Sequence, residues 1–94
     1  MTDPADTEVT LLTIEVVSYL SRVPVRCIRR YETEGLIQAE QIHALEGRRE
    51  RLYSVSTVHL VRRIHSYERV GVNLAGIEII LRLLEQLAHE RYRS

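Results

Sequence analysis

Residues 25–36 read VRCIRRYETEGL, and three of the first six are arginine. On a helical wheel at ~100° per residue, Arg26, Arg29 and Arg30 fall in one sector with Thr33, and Cys27, Ile28 and Tyr31 lie opposite. One flank is therefore cationic and the other apolar. Pro24 suits the first turn of such a helix, because its missing N–H has no intrahelical duty there. Gly35 suits the position just past its end, so the helix should run to about Glu34, with Leu36 and Ile37 folding back onto a core. Glu32 and Glu34 sit at the far end, so the acids do not neutralise the arginine sector evenly.

The chain before it is organised to present this helix. Residues 9–13, VTLLT, are β-branched and apolar and read as a brief strand. Thr13 is a candidate N-cap for a helix from Ile14 to about Leu20, with Ile14, Val17 and Leu20 on its buried face. The break at SRVP (21–24) makes a tight turn. A short helix, a tight turn and a second helix with a charged face is how a helix-turn-helix offers its second helix to the major groove.

Downstream, residues 38–53 lack helical periodicity. Their EGRRERLY segment reads as a Gly turn between strands, a hairpin or wing, and it carries Arg48, Arg49 and Arg51. Ser54 or Ser56 should cap a third helix to about Arg69, with Val58, Val61, Ile64 and Tyr67 buried and Gly71 closing it. Asn73 should cap a fourth, from Leu74 to about Tyr92.

Net charge is zero, but its distribution is uneven. Residues 22–69 hold ten Arg against six acids, whereas residues 1–15 hold Asp3, Asp6, Glu8 and Glu15 and no base. All thirteen cationic residues are Arg, whose planar fork matches phosphate oxygens and guanine edges. A lone cysteine, Cys27, excludes an intrachain disulfide framework and fits a reducing cytoplasm. No apolar run approaches the ~20 residues of a membrane span, and the acidic start has no signal-peptide pattern. His43, His59, His65 and His89 show no metal-ligand spacing, and no catalytic constellation stands out. An enzyme, a cofactor and a metal site are therefore not expected.

Three segments together resemble the MerR-type winged helix-turn-helix family. LTIEVVSYLSRVPVRCIRRYETEGLI resembles its opening two helices, RLYSVSTVHLVRRI its wing and third helix, and VGVNLAGIEIILRLL its fourth. The NLAGI form is similar to two short branches, heat-shock repressors of the HspR type and chaperone modulators of the CbpM type. The resemblance implies a mainly α fold, with a winged helix-turn-helix over 9–71, a C-terminal dimerisation helix over 72–94 and a disordered acidic arm over 1–8. It carries DNA contacts to Arg26, Arg29, Tyr31, Arg51 and Tyr53; the charge clusters add Arg30, Arg48 and Arg49. The chain departs from the family pattern at Arg22 and Pro24, where Gly and Ser are usual, at Arg30, where Tyr is usual, and at Val55 and Ser56, where acids are usual.

The fourth helix has apolar residues at Leu74, Ile77, Leu81, Leu84 and Ala88, widened by Ile80, Leu83 and Leu87. That stripe exceeds what docking on a small core needs. With the resemblance it implies an antiparallel helix pair in a homodimer. Family members with an effector-binding domain have a longer pairing helix, for which 94 residues leave no room. The leading expectation is a dimeric cytoplasmic regulator binding double-stranded DNA. The alternatives are a modulator clamping a J-domain co-chaperone, which has no need of six arginines on its second helix and wing, and an accessory subunit of a larger regulator.

Overall fold

A computed structural model describes residues 10–93; the expected acidic arm over 1–8 and Val9 lie outside the described residues. The order is β1 (Leu11–Thr13), α1 (Ile14–Ser21), α2 (Val25–Thr33), β2 (Gln41–Leu45), β3 (Arg48–Ser54), α3 (Val55–Arg69) and α4 (Leu74–Arg93). The described chain is mainly α, with one small antiparallel sheet in the order β1-β3-β2.

The first helix starts as the sequence suggests. Thr13 is extended, and its hydroxyl accepts from the Val16 N–H at 3.3 Å. Its buried face is Ile14, Val17 and Ser21, however, and Leu20 is 45 % exposed. Ser21 faces inward because its Oγ accepts the Val23 N–H at 3.2 Å, holding the turn. Arg22 ends α1 in the left-handed region, at φ 62° and ψ 31°, where a side chain costs ~1–2 kcal/mol that glycine avoids. Pro24 is the N-cap of α2 and not its first residue: its carbonyl accepts from Cys27 N–H at 3.0 Å and Ile28 N–H at 3.2 Å.

Gly35 ends α2 at φ 80°; its N–H bonds the Glu32 carbonyl at 3.0 Å, and the Leu36 N–H reaches the Tyr31 carbonyl at 2.9 Å. Those two bonds satisfy carbonyls that the helix end would otherwise orphan. The hairpin turn is two residues, Glu46 and Gly47, both at positive φ, with Leu45 opposite Arg48. This mirror-image turn matches the twist of paired strands. Ser54 begins α3 but makes no cap to its backbone; its Oγ lies 2.8 Å from Ser56 Oγ. Asn73 does cap α4, with its Oδ1 accepting from Gly76 N–H at 2.8 Å.

One core joins every helix to the sheet. Val17, Ile28, Tyr31, Tyr53, Val61, Ile64 and Ile77 are fully buried. Truncating such an aliphatic residue costs ~2–5 kcal/mol, so the apolar flank of α2 fixes which way its arginines point.

Candidate nucleic-acid interface

The helix wheel holds in three dimensions. On α2, Ile28 and Tyr31 are buried and Cys27 is half-buried, and Arg26, Arg29 and Arg30 are exposed. The hairpin adds its own cations. In β3, side chains alternate between faces, so Arg49 and Arg51 share the face of buried Tyr53 and extend it beyond the core. Arg29 meets Arg48, Arg49 and Arg51 around one open cleft of about 500 Å³, with Ile14, Glu15, Glu50 and Tyr53 completing its walls. Helix and wing, separate in sequence, thus build a single cationic surface.

Two carboxylates divide the arginines. Glu68 of α3 takes Arg30 Nη2 on both oxygens, at 2.8 and 2.7 Å, and accepts the Tyr31 hydroxyl at 2.7 Å. The Tyr31 oxygen also lies 3.2 Å from His65 Nδ1. Glu32, at the end of α2, accepts the Tyr53 hydroxyl at 3.0 Å and pairs with Arg51 Nη1 at 2.9 Å. Neutralisation of the arginines is uneven, as expected from the placement of the acids: Arg30 and Arg51 are taken, and the acid on Arg30 comes from α3. Among the described residues, no carboxylate pairs with Arg26, Arg29, Arg48 or Arg49.

Tyr31 and Tyr53 are fully buried, their rings in the core and their hydroxyls turned to glutamates. Burial first, and then the neighbouring carboxylate, raises both phenols: Tyr53 to about 12 from an ordinary 10.0, and Tyr31 in the same direction. Burial disfavours the phenolate, and a carboxylate accepting the hydroxyl proton disfavours it further. Both side chains stay neutral donors. Each buttresses the surface from behind.

Elsewhere, Arg62 of α3 donates to the Leu20 carbonyl at 2.8 Å, closing the end of α1. On α4, Ile77 is fully buried, and Leu74 and Leu81 pack in part against the protomer's own core. The expected pairing stripe is thus split. Of it, Leu83 (52 %), Leu84 (39 %) and Leu87 (60 %) remain exposed, with Ile80 half-buried and Ala88 exposed; Ile79 (56 %), outside that stripe, is exposed as well. Among the described residues, no group of three or more His, Cys, Asp or Glu could hold a metal, and no helix is long and apolar enough to cross a membrane.

Glu68 and His65 were not legible as site residues in the sequence. Tyr31 and Glu68 stand 37 positions apart, and no spacing rule links them. Glu32 was visible only as an acid on a cationic helix.

The family model described as MerR HTH family regulatory protein matches residues 12–84, from β1 into α4. A Streptomyces coelicolor protein described as a candidate heat shock protein HspR is 33 % identical over 82 residues, which are 86 % of this chain and 52 % of that protein. The chain thus spans about half the length of that relative. No solved structure matches significantly.

Proposed function

The chain belongs to the MerR helix-turn-helix family of regulatory proteins, and from that premise we propose that it binds double-stranded DNA as a homodimer and regulates transcription. The observation that carries this reading is the cleft between α2 and the hairpin, where Arg29, Arg48, Arg49 and Arg51 converge. Arg26 and Arg29 lie on the exposed face of the helix that enters the major groove, where arginine paired with guanine discriminates between bases by ~1–3 kcal/mol. Arg48 and Arg49, at the hairpin, meet the backbone beside the groove and position the protein without reading sequence. Tyr31 and Tyr53 hold this surface from within and do not touch DNA. The exposed seam Ile79, Leu83, Leu84 and Leu87 of α4 meets its copy in the dimer, which sets the spacing of the two α2 helices. The relative is described as a heat shock protein, which suggests the heat-shock response as a regulatory context for this chain.

The test is binding to a duplex selected from genomic fragments and to a scrambled duplex, each at several salt concentrations. Several arginine–phosphate contacts per protomer predict a log–log slope of roughly −5 or steeper for the dimer. A flat slope, or no duplex binding in low salt, would refute the reading. Capture of a J-domain protein under those conditions would favour a protein clamp instead.

A further inference from the structure

The cationic surface is assembled from two elements that touch DNA in different ways, so their relative placement must itself be set. One side chain spans them. Glu32 closes α2, is only 14 % exposed, and receives on a single oxygen, Oε1, both the Tyr53 hydroxyl and Arg51 Nη1 from β3. Tyr53 is anchored in the core and Arg51 lies on the wall of the cleft. We propose that Glu32 is the positioning residue of the DNA surface, coupling the wing to the second helix so that base-reading and phosphate-holding arginines engage one site together. This rests on the DNA-binding reading and deepens it.

A carboxylate beside a phosphate-binding surface is otherwise hard to account for, since it repels the ligand. Here the repulsion is muted, because Arg51 spends one donor on Glu32 and keeps the rest of its fork toward the cleft. Specific binding needs helix and wing in fixed register, whereas non-specific binding needs only positive charge. Glu32 should therefore govern the ratio of the two affinities.

Glu32→Ala and Glu32→Gln both remove the charge, but only the alanine removes the oxygen that holds Tyr53 and Arg51. The full chain would be titrated with the selected and the scrambled duplex, after active-site counting to correct for unfolded protein. Glu32→Ala should lower the ratio of specific to non-specific affinity about tenfold, the scale of one lost charge-assisted hydrogen bond. Glu32→Gln should retain most of the ratio. Should the alanine variant not fold, Tyr53→Phe keeps the ring in the core, removes one of the two attachments, and should lower the ratio in the same direction. A merely structural role would reduce the active fraction and leave the ratio alone. An unchanged ratio in Glu32→Ala or Tyr53→Phe overturns the coupling, as does an equal fall in Glu32→Ala and Glu32→Gln. If the wild type binds neither duplex, the DNA reading itself fails first.

Discussion

The division of the arginines by Glu32 and Glu68 yields a prediction that sequence would have made differently. By helical position, Arg30 belongs with Arg26 and Arg29; in the structure its Nη2 lies 2.7 Å from Glu68. Arg49 has no carboxylate partner among the described residues. On a scrambled duplex, where no arginine reads a base, the four helix and wing arginines without a carboxylate partner among the described residues (Arg26, Arg29, Arg48 and Arg49), each neutralising one phosphate, predict a log–log salt slope of about −7 for a dimer, at ~0.9 per contact. Arg49→Ala removes two contacts per dimer and should make the slope shallower by about 1.8. Between 50 and 200 mM salt, the variant's loss of affinity should then be roughly tenfold smaller than the wild type's. Arg30→Ala should leave the slope unchanged. Its ion pair is half-exposed, so it contributes no more than ~1 kcal/mol to folding, and Tyr31 still satisfies Glu68. The assay is fluorescence anisotropy on a scrambled duplex, where base contacts play no part. If Arg30→Ala flattens the slope as Arg49→Ala does, Arg30 leaves Glu68 for phosphate and the partition is wrong.

Two further outcomes follow from packing and titration. Leu84→Asp and Leu87→Asp should give folded monomers in analytical ultracentrifugation, because a carboxylate buried at the helix pair costs several kcal/mol; unchanged dimers would remove α4 from the interface. Leu81→Asp, which faces the protomer's core, should instead lower the melting temperature. Stability should fall between pH 10 and about 12: the unfolded phenol ionises near 10.0 and folded Tyr53 only near 12, so its contribution is complete below pH 10 and is lost as pH rises through that window. The loss is roughly 2–3 kcal/mol from Tyr53, and Tyr53→Phe should flatten that limb in urea titrations at each pH.

What was legible in the sequence follows from how local the signals are. Thr13, Gly35, Gly71 and Asn73 mark helix ends through bonds that reach only a few residues, so each is legible locally. The burial of Ile28 and Tyr31 against exposed Arg26 and Arg29 is a matter of 3.6-residue periodicity, and it too was legible. Leu20 is 45 % exposed because at ~100° per residue Ser21 falls between Ile14 and Val17 on the buried face, whereas Leu20 lies at its edge. Ile77 was misplaced because a wide apolar stripe does not say which part faces the home core and which a partner.

Which carboxylate takes which arginine is not legible in the sequence, for a different reason. Charge counted along a helix treats each side chain as free, but an arginine's reach lets an acid from another element capture it. Glu68 does this to Arg30 across α3 and α2, and Glu32 does it to Arg51 across α2 and β3. In both cases a buried tyrosine donates to the same carboxylate, and so fixes where the acid, and hence the arginine, can sit. The two tyrosines that the family resemblance assigns to DNA thereby decide, in the proposed reading, which arginines are available to meet it. A Tyr31→Phe change should act on Arg30 through Glu68, and a Tyr53→Phe change on Arg51 through Glu32, although neither ring reaches the surface.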